Sequence, residues 1–214
     1  AIGLRMLLEA KSDGRQKGRL ILLGYLEPSW WDFGATDSPV ATMATIRTLL
    51  FQAGPKEEVI SSVDVATAFL QAEAYGPDER VRYVKYKPFP GAPDKYFQLM
   101  GPIYGQRSAS KAWFKTVQTW LEKEQGFAGG KNEPCVFTKD GFRVVLYVDD
   151  IVCRGTMAQT KAFYAALEKK FKIKDPEILT DSHPLRFLGF DIRKEGDVYS
   201  MDQEDAIRRF LEEV

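Results

Sequence analysis

The chain has little cysteine and histidine and no long apolar run. Its 214 residues include two cysteines and a single histidine, His183, which we assign to a loop. Cys135 and Cys153 are too few for a zinc cluster or a disulfide framework, so we expect two reduced, packed thiols in a reducing compartment. No stretch approaches the ~20 apolar residues of a membrane-spanning helix. Charge interrupts the opening segment too early for a signal peptide, and we therefore expect no membrane partner.

The net charge is also zero, because 30 basic residues balance 30 acidic ones. Nucleic-acid-binding proteins usually carry a positive field, so this balance counts against that class unless the charge is segregated. It is segregated. Four cations cluster near the start of the chain and the acids gather later: Lys11, Arg15, Lys17 and Arg19 against Glu122, Glu124, Asp202, Glu204, Asp205, Glu212 and Glu213.

What is present is enough apolar material for a globular core, 44% hydrophobic and 13% aromatic residues. Apolar runs and turn residues predict strands, and 3.6-residue spacing predicts helices. The order strand, helix, hairpin, helix is typical of a βαββ-type α+β fold, the order of polymerase palms and nucleotide cyclases. The predicted strands are 4–10, 20–25, 59–65, 81–87, 96–99, 135–137, 142–148, 151–153, 187–192 and 198–201. The predicted helices are 38–53, begun by Ser38-Pro39 and ended by Gly54-Pro55, 108–125, 156–171 and an acidic C-terminal helix, with turns at Ser12-Asp13-Gly14, Lys139-Asp140-Gly141 and Glu195-Gly196-Asp197.

Two adjacent acids, Asp149 and Asp150, stand between the apolar runs Leu146-Tyr147-Val148 and Ile151-Val152. One interpretation is a two-residue hairpin turn, because Asp tolerates left-handed backbone and bonds to its own amides. The other is a functional pair of carboxylates. The motif alone is consistent with both.

A third acid, Asp64, ends the apolar strand Val59–Val65. If the two strands are neighbours, three carboxylates meet at one sheet edge, and they cannot all stay ionised unless cations lie among them. Mg²⁺ prefers carboxylate and phosphate oxygens, and no Cys or His set is available for a softer metal. Two Mg²⁺ ions about 3.5–4 Å apart can activate a hydroxyl and hold a leaving pyrophosphate. The sequence thus predicts phosphoryl transfer, and Mn²⁺ is an alternative to Mg²⁺. Lys17 and Arg19 either bind the triphosphate or belong to an ordinary solvated strand.

These motifs, taken in order, resemble the reverse transcriptase domain of copia-type long-terminal-repeat retrotransposons. The resemblance implies a right-hand polymerase whose palm is a βαββ-type antiparallel sheet backed by helices. Fingers would be 1–58 and 75–107, palm 59–74 and 108–200, and 201–214 the start of a truncated thumb or connection. The segments that carry it are Lys17-Gly18-Arg19-Leu20, Asp37-Ser38-Pro39-Val40 with Thr45-Ile46-Arg47, Val63-Asp64-Val65 with Ala68-Phe69-Leu70, Ile103–Ser110 with Trp113-Phe114, Tyr147-Val148-Asp149-Asp150, Lys170–Asp175 and Phe187–Ile192.

The resemblance also implies a role for each matching position. Asp64 and Asp149 would bind both ions with help from the Val65 carbonyl, and Asp150 would complete the triad. Phe69 would exclude a ribose 2′-hydroxyl, although its spacing fits a core residue equally well. Leu188 and Gly189 would press on the primer end, or else be hairpin core. The remaining roles are Lys17, Arg19, Tyr104 and Gly105 for the deoxynucleotide, Arg107 for the template, and Lys172 or Lys174 as proton donor to pyrophosphate.

The implied reaction is RNA-directed DNA synthesis, in which deoxynucleoside triphosphates extend a primer on an RNA or DNA template. The chain would be part of a longer polyprotein that supplies the thumb and ribonuclease H portions, acting in cytoplasmic particles, the nucleus or both. One departure is Leu22-Leu23-Gly24, where the family usually has a second basic residue. Two alternatives stay open: a catalytically silent or domesticated nucleic-acid-binding relic, and another palm-type enzyme such as a nucleotide cyclase.

Overall fold

The computed structural model describes residues 1–10, 14, 16–28, 36–52 and 57–212. Several predicted features lie outside this part of the chain: Lys11, Ser12-Asp13, Arg15, Ala53, Gly54-Pro55 and Glu213. The chain divides into two compact units, a first unit of Ala1–Pro39 with Thr67–Trp120 and a second unit of Val40–Ala66 with Leu121–Val214. The finer division into fingers, palm and thumb stays a prediction. Among the described residues, no helix has the length and apolar character needed to span a membrane.

The fold is α+β, and its elements follow the predicted order. The strands are β1 (Ile2–Ala10), β2 (Gln16–Leu22), β3 (Glu58–Asp64), β4 (Arg82–Tyr86), β5 (Lys95–Leu99), β6 (Ala128–Gly129), β7 (Val136–Lys139), β8 (Phe142–Tyr147), β9 (Asp150–Thr156), β10 (Glu177–Ile178), β11 (Leu185–Phe187), β12 (Phe190–Glu195) and β13 (Val198–Asp202). The helices are α1 (Met43–Phe51), α2 (Ala109–Thr119), α3 (Met157–Lys170) and α4 (Glu204–Glu212), with 3₁₀ turns at Gly24–Leu26 and Ala68–Gln71 and a π-helical turn at Trp120–Glu124.

The first unit is built on a four-stranded mixed sheet in the order β2-β1-β4-β5. β1 pairs antiparallel with β2 and parallel with β4. One face of this sheet holds a small core of Ile2, Leu22 and Val84. The prediction that the second strand continues to Tyr25 is wrong, because the backbone turns into the 3₁₀ segment after Leu22.

Helix α2 belongs to the first unit and buries Trp113 and Val117 along one side, and this buried side continues at Trp120. Ser108 stands at the N-cap position but makes no side-chain capping bond. The predicted single helix to Gln125 changes form, since its last turn is π-helical before Gly126 at φ +73°.

The second unit is built on a six-stranded antiparallel sheet in the order β10-β3-β9-β8-β7-β6. Its central strands β3, β8 and β9 are buried on both faces and are mainly apolar, with Ser61, Ser62 and Arg154 as buried polar residues. α3 begins at its N-cap Thr156, as predicted; Thr156 forms a capping box with Gln159, and the helix buries Phe163 and Leu167. Cys135 and Cys153 are both free and buried in this unit.

A buried ion cluster connects α1 to this sheet. The Glu58 carboxylate accepts bonds from Arg154 Nε at 2.9 Å and from Arg143 Nη2 at 2.8 Å. Arg154 Nη1 also donates to the carbonyls of Leu49 and Leu50, so it satisfies the last turn of α1. The predicted start of α1 at Ser38 is wrong, because the helix begins at Met43 with Thr42 as its cap.

The last three strands form a separate sheet in the order β11-β12-β13. The predicted strand 187–192 is wrong as a single element. It is interrupted by Leu188 and Gly189, whose φ angles of +52° and +79° turn β11 back into β12. α4 buries none of its residues.

Candidate active site

The antiparallel pairing of β3 with β9 brings two of the predicted carboxylates together. Its register places Asp64 directly opposite Asp150 at the end of the ladder. β8 and β9 meet at the Tyr147–Asp150 pair, so Val148 and Asp149 form the turn between them. Val148 has a φ of +56°, which is unfavourable for a β-branched residue and is compatible with a strained functional turn. All three acids therefore lie at one edge of the six-stranded sheet.

Backbone hydrogen bonds hold this edge in place. The Val65 N–H donates to the Asp149 carbonyl at 2.8 Å, which anchors the strained turn to the end of β3. The segment after α3 runs beside the same strand end, with Ala66 N–H donating to the Lys172 carbonyl and Lys174 N–H to the Asp64 carbonyl. The carboxylates are thus carried by backbone that is cross-linked on both sides.

Lys174 reaches the carboxylates with its side chain as well. Its Nζ lies 2.8 Å from Asp64 Oδ2. Lys172, the other predicted proton donor, contributes its carbonyl to the Ala66 bond. The ammonium of Lys174 therefore lies at the carboxylate group.

Asp150 has a perturbed titration. Burial, together with the nearby negative charges of Asp149 and Asp64, raises its pKa from 3.8 to about 6, against the opposing effect of Lys174. Burial is the largest of these causes. The crowding of like charge at this edge is the property that a bound cation would relieve.

A cleft of about 190 Å³ opens at Asp64 and Asp150. Its walls contribute two cations, Lys174 and Arg186, and two further acids, Asp175 and Glu177. Arg186 was not predicted from the sequence. Its one available signal was the alternation Leu185-Arg186-Phe187, in which the flanking residues are buried and the arginine is exposed.

The donor set has the chemistry of a hard-cation site, since it consists of carboxylate oxygens. In the described ranges, however, no three acidic, histidine or cysteine side chains converge closely enough to hold a metal ion. Strand register therefore brings Asp64, Asp149 and Asp150 to the same sheet edge, where the charges of Asp64 and Asp149 affect the pKa of Asp150. This arrangement does not amount to a closed three-carboxylate cage, and one oxygen of Asp64 is occupied by Lys174.

The predicted nucleotide-binding residues belong to the first unit. Phe69 lies in the 3₁₀ turn after Thr67, whose φ is +52°, and its ring is 5.1 Å from that of Tyr104 in a tilted arrangement. Phe69 is half-buried rather than fully packed. The two aromatic residues that we predict to line the nucleotide site are therefore neighbours.

The loop that carries Tyr104, Gly105 and Arg107 is held by a close backbone approach. Leu22 N–H donates to the Tyr104 carbonyl at 2.7 Å, and a Cβ on Gly105 would lie 2.2 Å from the Leu22 carbonyl oxygen. Gly105 also has a φ of +82°, which favours glycine. Only glycine fits this crossing without displacement.

Arg107 is fixed by a residue that the sequence did not single out. Glu27 is buried, and its Oε1 accepts the backbone N–H of Arg107 at 2.9 Å. The Arg107 Nε donates to the Gly24 carbonyl at 3.1 Å. Burial raises the pKa of Glu27, with the opposing bond and charge of Arg107 as smaller effects. Because Glu27 and Arg107 are 80 positions apart, no local pattern could have linked them.

Lys17 and Arg19, which we predict to bind the triphosphate, lie on β2. Arg19 Nη1 forms an ion pair with Glu9 Oε2 at 2.7 Å across the hairpin. Lys17 pairs in register with the same glutamate. The charge of this strand is thus partly balanced by its neighbour.

The predicted primer residues Leu188 and Gly189 occupy the β11–β12 turn of the second unit. Phe187, at the end of β11, packs edge-on against Tyr147 with ring centroids 6.3 Å apart. Tyr147 precedes the turn that bears Asp149. The β11–β12 hairpin is therefore close to the carboxylate edge.

Two solved telomerase structures share the fold of this chain. The structure of apo telomerase from Candida tropicalis truncated from the C-terminal domain matches 94% of this chain and 55% of its own, with a TM-score of 0.53 and 10% identity. Telomerase from Candida albicans in complex with a fragment of telomeric RNA matches 94% of this chain and 47% of its own, with a TM-score of 0.53 and 8% identity. At this identity the likeness defines the class of fold, a polymerase-like α+β architecture.

Sequence comparison then gives the family. Residues 1–214 match the family model "Reverse transcriptase (RNA-dependent DNA polymerase)", and the chain belongs to this family. A Retrovirus-related Pol polyprotein from transposon TNT 1-94 of Nicotiana tabacum is 29% identical over 226 residues, which cover 97% of this chain and 16% of the polyprotein. The transposon Ty1-DR5 Gag-Pol polyprotein of Saccharomyces cerevisiae is 24% identical over 211 residues, which cover 96% of this chain and 12% of the polyprotein. The chain thus corresponds to the reverse transcriptase domain of retrotransposon Pol polyproteins and spans less than a fifth of these relatives. The predicted family is confirmed.

Proposed function

We propose that the chain is an RNA-directed DNA polymerase that adds deoxynucleotides to a primer 3′-OH on an RNA or DNA template. The observation that carries this proposal is the register of β3 with β9, which sets Asp64 against Asp150 beside the turn of Asp149. A hairpin turn alone would explain Asp149 and Asp150 but not a third acid facing them from another strand. Family membership over the whole chain supplies the reaction class.

Asp64, Asp149 and Asp150, with the Val65 carbonyl, are the residues that would hold two divalent ions, Mg²⁺ or Mn²⁺. Their fit rests on the all-oxygen donor set, and on the burial and the neighbouring negative charges that together raise the pKa of Asp150. When bound, such ions lower the cost of deprotonating the primer hydroxyl and neutralise the developing charge on the phosphates.

The protein's own groups would complete the chemistry. Lys174 is an ammonium already held at Asp64, so it can donate a hydrogen bond to a phosphate oxygen and a proton to the leaving pyrophosphate. We favour Lys174 over Lys172 for this role because of that contact. Arg186 is a second cation on the same cleft and can offer its fork to a phosphate.

For the incoming deoxynucleotide we propose Phe69, Tyr104 and Gly105, with Lys17 and Arg19 for the triphosphate. The Phe69 ring would fill the space that a 2′-hydroxyl needs. The Gly105 crossing fixes the loop that presents Tyr104. Arg107 is proposed for the template, and the turn of Leu188 and Gly189 for the primer end.

The fingers, palm and thumb assignment is part of the same proposal, with the second unit providing the palm sheet. Because the chain spans 16% and 12% of the polyproteins it resembles, we propose that thumb and ribonuclease H portions act with it. The site of action would be cytoplasmic particles, the nucleus or both.

Primer extension on a primed RNA template with Mg²⁺ and deoxynucleotides tests the assignment. Asp64→Asn and Asp149→Asn should each lower the rate by about 10³-fold, because loss of an ion ligand removes about 4 kcal/mol of transition-state stabilisation. Asp175→Asn is the matched control, since Asp175 lines the same cleft without belonging to the triad. Its rate should stay within about fivefold of the unmodified chain, an effect of about 1 kcal/mol.

Extension that survives Asp149→Asn would refute the site. Cyclisation of free ATP would identify a cyclase instead, and nucleic-acid binding without extension by any form would identify a relic. A second measurement addresses Phe69: Phe69→Ala should raise the incorporation of ribonucleotides relative to deoxynucleotides, and an unchanged ratio would return Phe69 to a packing role.

A further inference from the structure

One face of the four-stranded sheet of the first unit packs on the small core of Ile2, Leu22 and Val84, and it is exposed farther out at Met6, Leu8 and Phe97. Residues that are partners in register point to the same side, and successive residues alternate. Ile2 is the partner of Val84, and Leu4 of Leu22, so the small core defines the packed face. The other face, which we call the open face, then carries the alternate residues of all four strands: Arg5, Leu7 and Glu9 on β1, Lys17, Arg19 and Ile21 on β2, Tyr83 and Lys85 on β4, and Tyr96 and Gln98 on β5.

Two large aromatic rings stand on this open face. Tyr83 is 52% exposed and Tyr96 is 64% exposed. Tyr83 is opposite Gln98, and Tyr96 is opposite Lys85, so the two tyrosines are diagonal neighbours across β4 and β5. Diagonal partners on an antiparallel pair are about 7–8 Å apart, close enough to serve as one platform.

Positive charge accompanies the rings. Lys85 shares the open face with the two rings, whereas Arg82 is buried and Lys95, the partner of Tyr86, lies on the other face. Lys85 stands between the two tyrosines, with its Nζ 3.4 Å from Asp94 Oδ2. The open face also includes Lys17 and Arg19 on β2. Exposed aromatic rings interleaved with cations are the arrangement on which unpaired bases stack while their phosphates are neutralised.

We propose that the open face of the β4–β5 hairpin binds an unpaired stretch of nucleic acid, with bases stacked on Tyr83 and Tyr96 and a phosphate at Lys85. A double helix is a poorer ligand because its bases are already stacked on one another. The inference rests on the proposed function in one respect, since the strand would be the template. Binding to the hairpin does not require catalysis.

The test measures the anisotropy of a labelled oligouridylate and of the same strand in a duplex, with the full chain carrying Asp149→Asn so that no synthesis occurs. Tyr83→Ala and Tyr96→Ala should each weaken single-strand binding by about fivefold or more, the effect of losing one base–aromatic stack. Tyr83→Phe should retain binding, because its ring still stacks. Phe97→Ala is the matched control, since Phe97 is 49% exposed and adjacent to Tyr96 but lies on the other face.

The cation is tested in both directions. Lys85→Gln should lower the slope of log affinity against log salt by about 0.7, the value for one phosphate contact on a single strand. Asp94→Asn should tighten binding, because it releases Lys85 from its ion pair. A gain of affinity cannot arise from a damaged fold.

Three outcomes would overturn the proposal. One is that neither the tyrosine variants nor Asp94→Asn changes the affinity for the single strand. Another is that duplex and single strand bind equally well. The last is that sedimentation shows a dimer that Tyr83→Ala dissociates, because the face would then be covered by a second copy. Failure of the proposed polymerase activity would appear separately, as absence of primer extension by a chain that still binds the single strand.

Discussion

The sheets of the two units differ in where their charged side chains lie. In the second unit, the charged residues of the central strands are either inside a satisfied cluster, as Glu58 and Arg154 are, or at the strand ends, as Asp64 and Asp150 are. In the first unit, cations and rings are spread along an exposed face. A sheet buried on both faces can admit charge only at its rim, so its chemistry is concentrated at one edge. A sheet with one open face can distribute its ligand-binding groups.

Two ion pairs, one from each unit, provide the strongest test of this contrast. Glu58→Ala should lower the free energy of unfolding by about 3–5 kcal/mol, because it leaves two arginines without their buried partner. Glu9→Ala, which removes the partner of Arg19 on the exposed strand, should cost less than about 1 kcal/mol. Urea denaturation measures both, and equal losses would remove the distinction between the two sheets.

The first unit should be most sensitive where backbone meets backbone. Gly105→Ala should cost about 3 kcal/mol, because a Cβ there meets the Leu22 backbone in addition to requiring positive φ. Gly91→Ala shares the positive φ, +87°, but has open space around it, and should cost about 1 kcal/mol. The difference in stability between the two variants, measured by thermal unfolding, gives the cost of the clash between the added Cβ and the Leu22 backbone. Similar values for both would mean that the Gly105 crossing relaxes easily.

The carboxylate edge of the second unit should be destabilising at neutral pH. The folded pKa of Asp150, about 6, is above its ordinary value of 3.8, so the folded state binds more protons between these values. Its contribution to stability is present below pH 3.8 and is lost as the pH rises through about 6. Asp150→Asn should therefore stabilise the protein by about 1 kcal/mol at pH 7, after allowance for solvent screening of a half-exposed group. The gain should vanish near pH 3.5.

Asp175→Asn, in the same cleft, is the control for that measurement. Urea titrations of the three proteins between pH 3.5 and 8 give the comparison. An Asp150→Asn variant that is less stable at pH 7 would show that the carboxylates are not crowded.

The smallest expected difference concerns whether the two units unfold separately. Cys135 and Cys153 report on the second unit, because burial raises both thiol pKa values, that of Cys135 to about 11, and keeps them unreactive. The second unit has no tryptophan, so tryptophan fluorescence reports on the first unit, where Trp113 and Trp120 are buried. The chain passes between the units three times, and the helical segment 109–124 continues through the last boundary. We expect thiol labelling and fluorescence to give the same midpoint in urea, and thiol labelling that clearly precedes the fluorescence change would make the units independent.

Local patterns predicted the helices and strands well wherever the apolar residues keep one helical or strand spacing. The helix start at Thr156, the turn at Asp140-Gly141 and the apolar run of β8 each depend on neighbours in sequence, and each forms as predicted. Predictions were wrong where the backbone reverses inside an apolar run. The turn at Leu188 and Gly189 has no strong sequence signal, because leucine by itself does not favour a positive φ. The surrounding sheet holds Leu188 in this conformation.

The candidate site shows the same division. The acids were predicted because carboxylates at the ends of apolar strands are conspicuous. The Lys174 contact with Asp64, the Arg186 wall and the Glu27 bond to Arg107 join residues that are far apart in the chain, and only the tertiary structure brings them together.

By itself the sequence determined which segments become strands and helices, and that three carboxylates stand at strand ends, since hydrophobic period and turn chemistry are local properties. Only the tertiary structure decided that Asp64 faces Asp150, which cation pairs with them, and which face of the first sheet is left open. The physical reason is that register and packing select among many pairings of similar local quality, and that choice is made by the whole fold at once.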